Sequence, residues 1–174
     1  MSMRKRAAQE SPRFLKHLAI HAPVEMGFMV FSNIAAKEGV DVIVASPKDR
    51  ELRTIGIRIR TSSYKPKRKG WRFSDDRAYF IEKTPFFYIF CLKSGNMPKP
   101  IGQGKTAQPA LHPPVFVVVS SEDLKKDNPS VARPSKSKNW GVDISRRQIS
   151  EGGRWASCVN NFDQIREKLE DYGT

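Results

Sequence analysis

The sequence predicts an α/β (α+β) fold in which a central mixed β-sheet is flanked by helices. One observation is that a helical pattern opens the chain, several strand-like segments follow, and a second helical pattern closes it. Helices and strands in such an order pack as layers around one core. A second observation is the length of 174 residues, which suits one domain. We expect this domain to span residues 11–174, after a basic N-terminal arm at residues 1–10.

The opening helix and the first two strands are recognised from their end signals. Ser11 and Pro12 are typical of a helix start, and Pro23 marks the end of the helical pattern. Apolar segments at 26–31 and 39–47 follow as predicted strands, the second bounded by glycine and proline.

The third strand, at residues 52–61, has the clearest alternation in the chain. Ile55, Ile57 and Ile59 fall on one face, whereas Arg58 and Arg60 fall on the other. The short turn before this strand favours an antiparallel hairpin with the second strand. The two arginines therefore face either water or a negatively charged group.

The second half of the chain contains two apolar strands and short helices. Residues 85–92 are rich in aromatics and continuously apolar, which predicts burial on both faces and makes Cys91 a core residue. Residues 114–120 form the clearest buried strand, and Ser120 or Ser121 is expected to cap a helix after it. The other predicted elements are strand-like segments at 71–73 and 78–81, an edge strand at 140–145, and a closing helix with a capping box at Asn161 and Gln164.

Three polar or Gly/Pro-rich segments are predicted to be loops, at residues 62–70, 93–113 and 125–139. The exposed edge of the strand at 140–145 could pair with a second copy, so a homodimer is possible.

Composition favours a polyanionic partner. The formal charge is +13 and the sequence pI is about 10.0. Clustered cations bind phosphates by releasing counterions, so we favour nucleic acid over a charge that serves only solubility. The two cysteines lie too far apart in sequence for a metal motif, and no apolar stretch reaches the length of a membrane span. We therefore expect a cytoplasmic protein without a membrane partner.

Two segments resemble the core of the restriction-endonuclease-like nucleases, whose motif is written PD-(D/E)xK. These are GVDVIV at residues 39–44 and IRIRTS at residues 57–62. They are similar to a small prokaryotic branch in which the second segment reads hydrophobic-Q-V-K-T-S. The resemblance implies the same fold from about residue 14 to the end, and an endonuclease that hydrolyses phosphodiesters with Mg²⁺.

Carried onto this sequence, the motif makes Asp41 the metal-binding and catalytic aspartate. Arg58 takes the place of an acid or glutamine, and Arg60 takes the place of the lysine. Neither arginine offers an oxygen to Mg²⁺, and a protonated guanidinium cannot act as a base. The resemblance therefore implies a degenerate, inactive nuclease centre whose arginines could still bind phosphate. No cofactor is certain, and Mg²⁺ is expected only if catalysis survives.

The basic segment after the third strand combines cations with aromatic residues. We expect the cations to contact nucleic-acid phosphates and the rings of Tyr64 and Trp71 to stack on bases, although Trp71 could equally lie in the core. The predicted nucleic-acid contacts are Arg58, Arg60, Tyr64, Lys65, Lys67, Arg68, Lys69, Trp71 and Arg72.

The sequence thus predicts a nucleic-acid-associated protein, with DNA favoured over RNA. Two alternatives stay open. One is an active Mg²⁺-dependent nuclease, and the other is a domain whose charge binds an acidic protein.

Overall fold

Within the residues that the structure describes, a mixed sheet of five strands lies between the first and last helices on one side and a two-stranded sheet on the other. The computed structural model describes residues 12–32, 40–48, 51–76, 86–93, 114–127 and 139–171. The strands are β1 (Met29–Ser32), β2 (Val42–Lys48), β3 (Glu51–Ser63), β4 (Gly70–Asp76), β5 (Phe86–Lys93), β6 (Val115–Ser120) and β7 (Asn139–Ser145). The helices are α1 (Pro12–Glu25), α2 (Ser121–Asp127), α3 (Arg146–Ile149) and α4 (Asp163–Asp171), with short 3₁₀ turns at Pro66–Arg68 and Ala156–Cys158.

The larger sheet has the strand order β1-β2-β3-β5-β6. Strands β1, β2 and β3 are antiparallel neighbours, β3 and β5 run parallel, and β5 and β6 are antiparallel. The predicted mixed sheet is therefore confirmed, and so is the hairpin formed by β2 and β3.

The isoleucine face of β3 packs against the helices. Ile55, Ile57 and Ile59 are each 1% exposed and belong to a core cluster on this side of the sheet. The helices contribute Leu15 and Ala19 from α1, and Ile165 and Leu169 from α4. The face that the alternation of isoleucines marks in the sequence is thus the buried face of the strand.

The opposite face of the sheet is covered by the two-stranded sheet. Phe86, Tyr88 and Phe90 project from β5 into a second core cluster. Strands β4 and β7 cover it with Trp71, Phe73, Trp140, Val142 and Ile144. Because there is a layer on each side, β5 is buried along nearly its whole length, as its continuous apolarity predicted.

Residues 71–73 form a strand as predicted, within β4, and this strand lies outside the central sheet. They pair antiparallel with β7, and Trp71 lies opposite Ile144. The reason lies in the side chains of β4, which alternate between buried rings at Trp71 and Phe73 and exposed polar groups at Arg72 and Ser74. Such a strand can cover an aromatic surface with one face only. The predicted strand at 140–145 is confirmed, while the homodimer stays a prediction.

The predicted loops are shorter than expected where the structure describes them. Strand β3 continues through Ser63 and β4 begins at Gly70, so the first loop is reduced to residues 64–69. Residue 93 ends β5, residues 125–127 belong to α2, and residue 139 begins β7. The predictions for 1–11, 78–81, 94–113 and 128–138 lie outside the described residues.

Helix caps were predicted with mixed success. The Ser120 hydroxyl accepts a hydrogen bond from the Asp123 N–H at 3.0 Å, so the predicted cap of α2 is confirmed. The capping box predicted at Asn161 and Gln164 is wrong, because these side chains donate to the carbonyls of Ser157 and Val118 instead. A capping box is instead found at α3, where Ser145 and Gln148 bond reciprocally.

Candidate nucleic-acid interface and the Asp41 ion cluster

Asp41 lies at the point where β2 begins and its ladder with β3 ends. The last Cα pair of that ladder on this side is Val42 with Ile57, whereas β3 continues to Ser63. The Asp41 N–H donates to the Ile57 carbonyl at 2.9 Å. Its carboxylate then reaches further along β3 and accepts the Ile59 N–H at 2.9 Å. The side chain thus takes a place on the edge of β3 that a neighbouring strand would otherwise fill.

Two cations complete the surroundings of this carboxylate. The Arg60 Nη1 lies 3.0 Å from Asp41 Oδ2, and the Lys16 Nζ lies 3.0 Å from Asp41 Oδ1. Arg60 also donates to the Ile59 carbonyl at 2.9 Å. Lys16 belongs to α1, and no pattern in the sequence singles it out. We refer to Lys16, Asp41, Arg60 and the Ile59 N–H as the Asp41 cluster.

Arg58 and Arg60 have different surroundings, although they are two residues apart on β3. Arg58 is only 5% exposed and lies beside Tyr88 in the register of β3 with β5. Its side chain is therefore shielded from a polyanion at the surface, and its assignment as a direct nucleic-acid contact is corrected. Arg60 is 22% exposed at the edge of β3 and is the arginine that pairs with Asp41.

The Asp41 cluster does not fit Mg²⁺. Magnesium requires several oxygen ligands in near-octahedral geometry, but both carboxylate oxygens of Asp41 already accept from cations or an N–H. Arg58 and Arg60 add positive charge and no oxygen. Within the described ranges, no group of three or more His, Cys, Asp and Glu residues could hold a metal ion.

The basic turn between β3 and β4 has a defined backbone. The Lys65 N–H donates to the Gly70 carbonyl at 2.8 Å, and the Arg68 N–H donates to the Lys65 carbonyl at 3.0 Å. Lys69 adopts a left-handed conformation with φ of 53°, which reverses the chain into β4. The side chains of Lys65, Lys67, Arg68 and Lys69 are all exposed. A tight turn therefore presents four cations to solvent.

The aromatic residues of this segment lie in the core, so the expectation of base stacking is wrong for Tyr64, and for Trp71 the core alternative is confirmed. Tyr64 is 6% exposed and Trp71 is 3% exposed. Their rings meet edge to face at 5.2 Å, and the Trp71 Nε1 donates to the Lys93 carbonyl at 2.7 Å. The rings are buried because the turn is anchored to the aromatic face of the central sheet.

Arg146 joins the basic turn from a distant part of the sequence, and Arg147 follows it in α3. The register of β4 with β7 places Ser145 opposite Gly70, so α3 begins beside the turn. The Arg146 guanidinium lies over the Tyr64 ring, 5.1 Å from its centroid. Arg146 and Arg147 were not predicted as site residues, because a pair of adjacent basic residues gives no indication of where it folds.

These cations define one surface, which we call the basic face. It consists of Lys65, Lys67, Arg68, Lys69, Arg72, Arg146 and Arg147, all exposed. The facing acid is Asp143, whose carboxylate lies 3.8 Å from Arg68 and 3.9 Å from Arg72. Seven cations and this one acid give the surface a formal charge of about +6.

Comparison with known proteins gives no family assignment: no family model matches the chain, and no curated protein shows significant similarity to it. In the part of the chain that the structure describes, no helix has the length and apolarity needed to cross a membrane.

Proposed function

We propose that this protein binds nucleic acid through the basic face. The observation that carries the proposal is the convergence of two basic segments, at residues 65–72 and 146–147, on one surface. A cluster of exposed lysines and arginines gains affinity for phosphates by releasing their condensed counterions. A charge that served only solubility would need no such convergence. We expect DNA to be favoured over RNA.

The scaffold of this proposal is a restriction-endonuclease-like fold with a degenerate nuclease centre at Asp41. The order of a helix, an antiparallel hairpin and a parallel strand supports it, as does the position of Asp41 at the start of β2. The ion pairs of Asp41 support loss of metal chemistry, because a metal would have to displace Lys16 and Arg60. We therefore expect binding without cleavage.

Fluorescence anisotropy with labelled DNA and RNA tests the binding. The double variant Lys67→Glu/Lys69→Glu is expected to weaken binding about tenfold or more and to lower the slope of log K against log salt by about 2. The matched control is Arg166→Glu/Lys168→Glu, which makes the same charge change on α4, on the other side of the central sheet. Equal losses in both variants would show that only net charge matters and would contradict the proposal.

The same labelled DNA and RNA test the nuclease alternative when they are incubated with the protein and Mg²⁺, Mn²⁺ or EDTA. We expect the nucleic acid to stay intact in all three conditions. Metal-dependent cleavage that disappears in Asp41→Ala would overturn the degenerate centre and make the protein an active nuclease. Weak, non-saturable binding to every nucleic acid would instead favour an acidic protein partner.

A further inference from the structure

The Asp41 cluster has the donors of an anion-binding site. Lys16 and Arg60 supply two positive charges, and Ile59 supplies a backbone N–H, all within 3.0 Å of one carboxylate. Two cations against one carboxylate leave a formal surplus of about +1 in the cluster. The groups that converge here therefore favour binding of an anion, whereas a metal centre would favour a cation.

The cluster is also within reach of solvent. The Lys16 side chain is 39% exposed, and those of Arg60 and Asp41 are 22% and 21% exposed. A small anion in solution can therefore approach Lys16 and Arg60 without unfolding of the sheet. Its obstacle is Asp41, which is covalently tethered and so present at a high effective concentration.

We propose that Lys16 and Arg60 form an anion site for one phosphate group, and that Asp41, which the Ile59 N–H holds in place, closes this site as a built-in competitor. A phosphate offers the same two acceptor oxygens as a carboxylate and further oxygens toward solvent. The site is separate from the basic face. Its existence does not depend on whether the protein binds nucleic acid.

The test uses Asp41→Asn, which keeps an oxygen to accept the Ile59 N–H and removes the negative charge. Thermal unfolding is followed while inorganic phosphate is added, with chloride at matched ionic strength as the salt control. We expect a saturable rise in Tm for Asp41→Asn and little response from the wild type. Asp163→Asn is the matched variant, because it removes one carboxylate that pairs with an arginine on α4, and we expect it to behave as the wild type does.

The double variant Lys16→Met/Asp41→Asn is expected to lose most of the phosphate response, because one of the two cations is gone. The same response in Asp41→Asn, Asp163→Asn and the wild type would overturn the proposal.

Wild-type protein provides a second measurement in case Asp41→Asn does not fold. Calorimetric titration of the wild type with Mn²⁺ is expected to give no saturable binding. Saturable Mn²⁺ binding that depends on Asp41 would overturn the anion site and assign the cluster to a metal. Failure of the basic face to bind nucleic acid would leave both measurements unaffected, so the two proposals fail independently.

Discussion

At the scale of single residues, Asp41 connects parts of the chain that are distant in sequence. Its carboxylate receives Lys16 from α1 and both Arg60 and the Ile59 N–H from β3. An unpaired strand edge with free N–H groups favours association with other strands. One acidic side chain therefore holds a helix against the sheet and satisfies a backbone donor at the edge of β3.

Replacing Asp41 by alanine is expected to lower the free energy of unfolding by about 1–3 kcal/mol. The variant leaves two cations close together and the Ile59 N–H without its carboxylate. Partial exposure of the three side chains keeps the expected loss below that of a fully buried pair. Urea denaturation measures the change.

The matched control for this measurement is Glu25→Ala, which removes an acid that pairs with His21 at the surface, with both side chains well exposed. The expected loss is at most about 0.5 kcal/mol, since exposed ion pairs contribute little. Similar losses in the two variants would contradict a stabilising role of the Asp41 cluster.

Cys91 provides a prediction about alkaline pH. Burial raises the pKa of its thiol from 9.0 to about 12, with nearby Lys16 lowering it and Asp41 raising it to a smaller extent. The unfolded chain releases this proton near pH 9.0 and the folded chain does not, so stability falls as pH rises from 9.0 to about 12. The loss is about 1.4 kcal/mol per pH unit. Urea denaturation at several pH values should show a shallower decline for Cys91→Ala, and an identical slope would contradict the assignment.

At the scale of elements, α3 is a single turn of helix that carries two cations of the basic face. Its first turn is fixed by the capping box of Ser145 and Gln148, in which the Ser145 N–H donates to Gln148 Oε1 at 2.7 Å. The stacking of the Arg146 guanidinium on the Tyr64 ring also holds α3 in place. The direction of these cations therefore depends on the cap.

We expect Ser145→Ala to cost about 1 kcal/mol of stability, because the Gln148 N–H loses its acceptor. We also expect weaker nucleic-acid binding, since Arg146 and Arg147 are then held less firmly. Thermal unfolding and fluorescence anisotropy measure the two effects. Ser74→Ala, on the exposed face of β4, is the control. Binding by Ser145→Ala that equals the wild type would show that α3 does not contribute to the interface.

At the scale of the whole molecule, protection from solvent increases toward β5. This strand pairs with β3 and β6 and is covered on both faces, whereas β1 pairs with β2 at the outside of the described sheet. Amides in such central, well-covered elements open at free energies that approach the global value. Hydrogen exchange should therefore be slowest in β5 and much faster in β1. Equal protection of the two strands would contradict this layered account.

The sequence predicts those parts of the fold that depend on local pattern. The alternation of Ile55, Ile57 and Ile59 identifies β3, and the apolar segment at 85–92 identifies β5, because both patterns report burial directly. The pairing of β4 with β7 could not be predicted from the sequence, since no local pattern links two segments so far apart in the chain. The burial of Tyr64 and Trp71 follows from that same pairing.

The candidate site, like the fold, was predicted only where its residues are close in sequence. Asp41 and Arg60 could be placed together, because both belong to one hairpin with a short turn. Lys16 could not be placed beside them, because the sequence of a helix does not indicate which acidic residue one of its lysines will contact. Arg58 and Arg60 look alike in sequence, and only the layer above the sheet determines that Arg58 is buried.

The pairing of β4 with β7 also has a consequence for the order in which the molecule is made. Gly70 and Ser145 are neighbours in space but are synthesised 75 residues apart (145 − 70). A ribosome releases the amino-terminal part of a chain first, and non-local contacts form late. A nascent chain therefore exposes the lysines of the turn long before Arg146 and Arg147 can join them. The full positive surface therefore forms only after both segments have been synthesised and β4 has paired with β7.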